Sequence, residues 1–387
     1  MPKELLTSKL SIPPLRPNLV PRPRLIQRIS DGLQSKRRLT LVSAPAGFGK
    51  TTLVVAWLMQ SDHPTAWLSL DEAENDLLLF LAYLAAAFQQ VDEEIGAPLL
   101  SALQSPQLPA IEKILTALLN EIALRADSLI LVLDDYHLLS ETAILEVMEF
   151  LLHHQPPQLH LVLITREDPA LPLAKLRARD KLTEIRAWDL RFTQEETNAF
   201  LQGVMGLELT RQDVAALEDR TEGWAVGLQL AGLSMQRQAD LKAFIADFSG
   251  SHRYILDYLT DEVLQQQPES IRSFLLHTSI LDHLSGPLCD ALTGRIDSDK
   301  LLTHLEAANL FCVPLDEERR WYRYHHLFSD LLRNQLTRSQ PEWIPELHRR
   351  ASRWYEENGD IQAAIDHALQ DTDLTQAAHL IEQHVLP

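Results

Sequence analysis

Leu39-Thr40-Leu41-Val42-Ser43-Ala44-Pro45-Ala46-Gly47-Phe48-Gly49-Lys50-Thr51-Thr52-Leu53-Val54-Val55-Ala56-Trp57-Leu58 is the stretch that decides how this chain is read. An apolar, strand-like run (Leu39–Val42) enters a turn of small residues, and a helix-like run (Leu53–Leu58) leaves it. A strand, a glycine-rich turn and a helix opening on Lys-Thr form the arrangement that grips the phosphates of a nucleoside triphosphate. The glycines let backbone N–H groups curl around phosphate oxygens. Ala46, Gly47, Phe48, Gly49, Lys50, Thr51 and Thr52 are therefore the expected cradle. Lys50 brings a positive charge to the β- and γ-phosphates, and Thr51 offers its hydroxyl to Mg²⁺. The pattern G-x-x-x-x-G-K-[ST] has Ala44 at its first glycine position. Alanine tolerates most loop geometries short of positive φ. A ligand-free surface turn has no need of Lys-Thr-Thr at its end.

A second element supports the first. Leu129–Leu133 is fully apolar and runs into Asp134-Asp135. A carboxylate at the C-terminal end of a parallel strand lies beside the phosphate loop, because ligands bind at that edge of such sheets. Asp134 is the expected Mg²⁺ holder, through water, and Asp135 the residue that polarises an attacking water. The competing reading is an Asp-Asp helix cap. Arg166 follows the apolar run Leu159–Ile164 and is placed to sense the γ-phosphate or to stabilise charge developing on it. Its plainer alternative is a surface salt bridge. His325-His326 closes a short hairpin and is either structural or a nucleotide contact; neither cysteine lies at metal-ligand spacing from it. No Ser–His–Asp or G-x-S-x-G arrangement is evident.

Between residues 39 and 166 apolar runs alternate with long helices, which predicts a parallel sheet covered on both faces, an α/β P-loop NTPase fold. A proline-rich strap over residues 1–24 (Pro13, Pro14, Pro17, Pro21, Pro23) precedes it; the rigid rings disfavour helix there. The nucleotide-binding domain is expected over 25–188. After Leu190 strand signals nearly vanish. Thr193-Gln194-Glu195-Glu196 is a capping box, and 189–250 reads as an all-helical domain. Over 251–345, helices followed by the hairpin Leu310–Leu315 and Arg320–Tyr324 read as a winged-helix domain. Small residues around Gly359-Asp360, with Ala363, Ala364, Ala368, Asp373, Ala377 and Ala378, mark 346–387 as the start of a helical, TPR-like repeat region.

Composition sets the limits. The 387 residues carry 35 Lys+Arg against 54 Asp+Glu, a formal net charge of -19, which argues against a surface that coats nucleic acid. The hairpin turn Asp316-Glu317-Glu318 is acidic too, so an internal role for the winged helix is favoured over DNA reading. Two cysteines, Cys289 and Cys312, are too few for a disulfide framework and fit a reducing compartment. The longest apolar run, Leu77–Phe88, is too short to span a bilayer, and the N-terminus lacks a signal-type core. A cytoplasmic protein without membrane association is expected.

Together these residues resemble the signal-transduction ATPases with numerous domains (STAND). More closely, they resemble the N-terminal ATPase half of MalT-type, LuxR-family large ATP-binding transcriptional regulators. The similar parts run in order through nearly the whole chain. They begin with Ser8-Lys9-Leu10, Val20-x-Arg22-x-Arg24-Leu25 and the phosphate loop. Trp67-Leu68-Ser69-Leu70-Asp71, Leu131-Val132-Leu133-Asp134-Asp135-Tyr136-His137 and Thr165-Arg166 follow. The last are Phe192-Thr193, Gly223-Trp224-Ala225 and Tyr324-His325-His326-Leu327-Phe328. In that family Ala at position 44 is ordinary.

The resemblance implies ATP or ADP with Mg²⁺ as cofactors, Val20 and Arg22 near the base, and His325 or His326 on the β-phosphate in a closed ADP state. It implies slow regulatory hydrolysis that resets a switch, and self-association when ATP and an inducer are bound. DNA binding would come only from a C-terminal domain absent from this chain, which suggests a piece of a longer protein or a short member. The alternative role is a stand-alone STAND scaffold acting through protein contacts. A turnover enzyme and a DNA-binding module acting through the 310–324 hairpin are weaker readings.

Overall fold

Five short strands find one another in the computed structural model, which describes residues 5–15, 18–105, 107–236, 238, 240–370 and 374–384. Pro17 of the strap, Asp373 and residues 385–387 lie outside the described residues. The chain divides into two units, residues 1–204 and 205–387.

In the first unit α1 (Pro23–Gln34) leads into β1 (Leu39–Ser43), α2 (Lys50–Leu58), β2 (Thr65–Ser69) and α3 (Leu77–Gln89). Next come α4 (Ala97–Leu103), α5 (Ile111–Ala123), β3 (Leu129–Asp134), α6 (Thr142–His154) and β4 (Leu159–Thr165). The unit closes with α7 (Leu173–Ala178), β5 (Leu182–Arg186), α8 (Ala187–Leu190) and α9 (Gln194–Asn198), the last continuing as a π-helical stretch to Val204. The strands form one sheet in the order β2-β3-β4-β1-β5, with every pairing parallel. This is the α/β P-loop architecture. Helices pack on the sheet because β1, β3 and β4 are buried at every position, as strands covered on both faces must be. His160 in β4 is accommodated as the neutral ring: burial holds its pKa down to about 4, and its nitrogens meet the Thr40 hydroxyl and the Arg37 carbonyl, each at 2.9 Å.

β5 had no apolar run to announce it, since Glu184 and Arg186 interrupt the pattern. It is an edge strand, and its charged residues fall at the half-buried positions while Leu182, Thr183 and Ile185 turn inward. Charge on an edge strand also discourages pairing with other chains. The N-terminal strap is extended but contains a 3₁₀ turn at Thr7–Leu10. Lys9 anchors that turn by pairing with Asp71 and Glu74 at 2.6 Å each, so Ser8-Lys9-Leu10 and Trp67–Asp71 form one structural feature.

The second unit is helical: α10 (Arg211–Thr221), α11 (Ala225–Met235), α12 (Leu241–Asp247), α13 (Arg253–Leu259), α14 (Glu269–Thr278), α15 (Gly286–Thr293) and α16 (Ser298–Ala307). A hairpin of β6 (Cys312–Pro314) and β7 (Tyr322–Tyr324) follows, then α17 (His326–Ser339). Leu284 adds a third extended segment by exchanging hydrogen bonds with Tyr322 (2.8 and 2.9 Å), which completes a winged helix. Helices α18 (Ile344–Glu357), α19 (Ile361–Ala368) and α20 (Thr375–His384) begin a helical repeat array. The turn between α18 and α19 needs Gly359, at φ 82°, and Asp360 caps α19 through the Ala363 N–H at 3.1 Å. Ala351, Ala364 and Ala368 are buried, their small side chains letting the helices approach.

Trp224 is the hub of this unit. It is fully buried, with Phe311 and His325 edge-on to its ring at 5.4 and 6.1 Å and Tyr258 tilted against it at 5.7 Å. Removing so large a side chain leaves a cavity that the neighbours cannot fill. Trp224→Ala should therefore cost the fold about 3–5 kcal/mol, read as a lower urea midpoint. A midpoint matching wild type would show that the indole is not the hub.

Candidate functional site

β1 ends at Ser43, and the backbone then makes the tight turn that the sheet edge and α2 impose. Positive φ in this loop is confined to Gly47 (78°) and Gly49 (77°), where only glycine fits without strain. Ala44 does not enter that region. It is fully buried, and its N–H meets the Thr165 carbonyl at 3.3 Å, which is why the methyl group is no obstacle there. Gly49 is the N-cap of α2, so the loop delivers its amides to a helix N-terminus, the end that favours anions. Ala46 and Phe48 turn their side chains inward and Thr52 is exposed.

Lys50 is 8% exposed. Its Nζ donates to the carbonyls of Ala44 (2.9 Å) and Pro45 (3.0 Å). Two neutral carbonyls do not neutralise a full charge. Burial, and then the like charge of Arg166, lower its pKa to about 8. At the end of β3, Asp134 Oδ1 accepts the Thr51 hydroxyl at 3.0 Å and the Asp135 N–H at 3.1 Å. Burial, and then the neighbouring Asp135 charge, push its pKa up to about 6. A buried ammonium hydrogen-bonded to two carbonyls, with the Asp135 and Asp134 charges nearby and a hydroxyl and a carboxylate held together beside it, is a donor set that fits a magnesium–polyphosphate. Lys50 and the loop would hold the anion, and Thr51 with Asp134 the cation.

Asp135 takes a left-handed conformation, φ 57°, which aspartate tolerates better than most residues. Its carboxylate is half-exposed, with His137 Nδ1 3.9 Å away, and close enough for its charge to act on Asp134. His137 stays neutral at pH 7, its pKa lowered to about 4 by burial and by the charges of Arg166 and Lys50. Arg166 is partly buried at the end of β4, the strand adjacent to β1. Its field reaches both Lys50 and His137, so it belongs to the same cluster.

Arg22 of the strap is held by the segment after β5. Arg22 is 8% exposed. Its guanidinium donates to the carbonyls of Leu190 and Arg191 (2.8 Å each) and to Glu196 Oε2 (3.1 Å), and it lies 4.8 Å from the Phe192 ring centre. It fastens the strap to the segment after β5, with Val20 half-buried just before it. Glu196 serves twice, since it also accepts the Thr193 N–H (3.0 Å) in the capping box of α9.

In the second unit the two histidines have different environments. His325 is 2% exposed and its Nε2 lies 3.0 Å from the Thr221 carbonyl. His326 keeps an exposed ring, and its backbone N–H donates to Glu222 Oε1 at 3.1 Å. Glu222 in turn holds Arg323 through two bonds of 2.7 and 2.8 Å. Ser43, Asp168 and Arg186 escaped the sequence reading, although they join the ends of β1, β4 and β5: the Ser43 hydroxyl donates to Asp168 Oδ1 at 3.1 Å, and Arg186 pairs with Asp168. The available signal was position at strand ends. It was hidden because β5 itself was not legible.

Residues 19–164 match an AAA ATPase domain and residues 260–344 match the MalT winged helix domain. The HTH-type transcriptional regulator MalT of Yersinia pestis is 36% identical over 385 residues, 98% of this chain and 42% of that protein. The serine/threonine-protein kinase PknK of Mycobacterium tuberculosis is 35% identical over 369 residues, 95% of this chain and 33% of that protein. The chain thus spans well under half the length of these curated relatives. Among solved structures, the Walker-type ATPase PABY2304 of Pyrococcus abyssi superposes with a TM-score of 0.57 at 15% identity, over 82% of this chain and 97% of that one. It shares the fold. No helix among the described residues is long and apolar enough to cross a membrane.

Asp134 supplies a pH signature. Its folded pKa of about 6 lies above the ordinary carboxylate value of 3.8. Between these values the folded protein holds a proton that the unfolded chain has released. The ligand-free fold therefore gains stability from this group as pH falls from about 6 toward 4, and loses it as pH rises again. Relative to Asp134→Asn, the wild-type urea midpoint should rise as pH is lowered from 7 to 5. A difference that stays flat over this range would mean Asp134 is not a buried acid. Magnesium-dependent nucleotide binding, which needs the carboxylate, should weaken over the same interval.

Proposed function

We propose that this chain, which matches an AAA ATPase domain and the MalT winged helix domain and is similar over nearly its whole length to part of a MalT regulator, is an ATP/ADP-dependent signalling switch of the MalT-type STAND P-loop ATPases. The observation that carries the reading is the Thr51 hydroxyl bonded to Asp134 at 3.0 Å beside the buried Lys50 ammonium. The relatives add a second argument. A protein named as a transcriptional regulator and one named as a kinase share this same region. What they share is then the switch, and the output differs.

The geometry supports the following roles. Backbone amides from Ala46 to Thr52 and the α2 N-terminus bind phosphate oxygens. Lys50 exchanges its carbonyl partners for phosphate. Thr51 and Asp134 hold Mg²⁺, which when bound neutralises phosphate charge and orients the terminal group. Asp135, half-exposed at the strand end, orients and polarises the attacking water. Arg166 senses the γ-phosphate. Arg22 fixes the strap so that Val20 can border the base. Of the two histidines, His326 has the exposed ring, while His325 packs against Trp224.

A switch needs differential affinity rather than fast turnover. Moving an equilibrium from 1:99 to 99:1 takes ~5.5 kcal/mol of preference between states. We assign ADP to a closed resting state, and ATP with an inducer to a self-associating one, with slow hydrolysis as the reset. DNA binding is left to a separate C-terminal domain, as the family name of the regulator implies. The scaffold alternative uses the same site without DNA.

Titration with fluorescent ADP and ATP analogues in magnesium buffer tests the reading. Wild type should bind both and Lys50→Ala neither; binding retained in Lys50→Ala refutes the site. Asp135→Asn should keep ATP, lose about 10²–10⁴-fold in hydrolysis and self-associate more readily by light scattering. Unchanged hydrolysis in that variant removes Asp135 from its role.

A further inference from the structure

Arg166 sits on a short loop after β4, and an arginine that discriminates phosphates is only as exact as the loop that carries it. That loop is fastened on both sides. Before Arg166, the Thr165 hydroxyl donates to the Glu167 carbonyl at 2.7 Å and accepts the Glu167 N–H at 3.3 Å. After it, Asp168 bridges two other strands. Its Oδ1 accepts the hydroxyl of Ser43, the last residue of β1, at 3.1 Å, and pairs with Arg186, the last residue of β5.

The register makes the bridge level: Ser43 pairs with Thr165 on one side and with Arg186 on the other. Asp168 therefore ties the ends of three adjacent strands together at the root of the phosphate loop, four positions before Gly47. Arg186 is held in turn by Glu184 Oε1 at 2.6 Å, and Glu184 by Arg177 at 2.8 and 2.9 Å. The Asp168 side chain is 36% exposed, but the groups it joins are not loose: Ser43 is fully buried and the Arg186 side chain is 13% exposed. Networks of charge-assisted bonds in such surroundings fix geometry more tightly than isolated exposed pairs do.

We propose that Asp168 is the positioning residue for Arg166: by clamping the loop after β4 to Ser43 and Arg186, it sets how well the site tells ATP from ADP. This rests on the nucleotide-switch reading above and names the part of the chain that does the discriminating. Asp168 makes no contact with the nucleotide; it acts through the direction of Arg166. Movement at the loop changes the interaction with the terminal phosphate while the loop-amide and Lys50 contacts to the other phosphates remain.

The test compares Arg166→Ala, Asp168→Asn and the double variant in the full chain. The readouts are ADP affinity, ATP affinity and single-turnover hydrolysis, with melting in ADP as the check on folding. Asp168→Asn should keep ADP affinity and lower hydrolysis about 10–100-fold, the scale expected when a catalytic group is misplaced by about 1 Å. It should add little to Arg166→Ala, because both remove the same interaction. Equal loss of ADP and ATP binding, or additive losses in the double variant, would overturn the proposal in favour of a merely structural clamp. If Asp168→Asn does not fold, Ser43→Ala removes one of the two clamping bonds and is judged by the same criteria. Should wild type bind neither nucleotide, the switch reading fails and this inference with it. Normal wild-type binding with normal hydrolysis in Asp168→Asn sinks this inference alone.

Discussion

A buried ammonium satisfied only by carbonyls is the constraint around which the first unit is arranged. Lys50 has left water, and its Nζ meets the carbonyls of Ala44 and Pro45. Burial of a charge is costly unless it is paired, and here two carbonyl dipoles with the nearby Asp135 and Asp134 charges offset only part of the cost of burial and of the Arg166 charge. The cost is tolerated because the surroundings are rigid. β1 is buried at all five positions, Gly47 and Gly49 supply the left-handed turns, and α2 begins at Lys50 itself. An anion at this helix N-terminus would favour the charged lysine, so a buried ammonium with a lowered pKa is the physical reason to expect polyphosphate.

The same edge of the sheet is secured by other charge pairs that reach across long stretches of chain. Lys9 closes the strap onto Asp71 and Glu74, and Arg22 closes it onto the segment Leu190–Glu196. Asp168 closes the β4 loop onto β1 and β5. Most of these groups are partly or wholly buried, where loss of one partner strands the other, and that makes them better fixers of geometry than of stability. In the second unit the Glu222–Arg323 pair and the Trp224 cluster do equivalent work, joining the end of α10 to the hairpin and to α17.

How much of this was legible follows from the kind of signal each residue leaves. The phosphate loop was legible because its function demands local features: two glycines at positive φ, then Lys-Thr at a helix start. Strands β1, β3 and β4 were legible because burial on both faces forces unbroken apolar runs. The capping box at Thr193–Glu196 was legible because its partners are three residues apart. β5 was not, since an edge strand tolerates Glu184 and Arg186 at its half-buried positions.

The sequence by itself determined the P-loop sheet, the winged helix and the opening of the repeat array, because these rest on periodicity, turn chemistry and short-range pairing. Only the tertiary structure decided the partners of Arg22, Lys9, Ser43, Asp168 and Arg186. Each meets groups distant along the chain, as Arg22 meets Leu190 across 168 positions, and a charged residue carries no local mark of the partner it will find. Which histidine is buried was also a tertiary matter. His325 and His326 are adjacent and chemically identical, and only packing against Trp224 and Phe311 turns one inward and leaves the other in water.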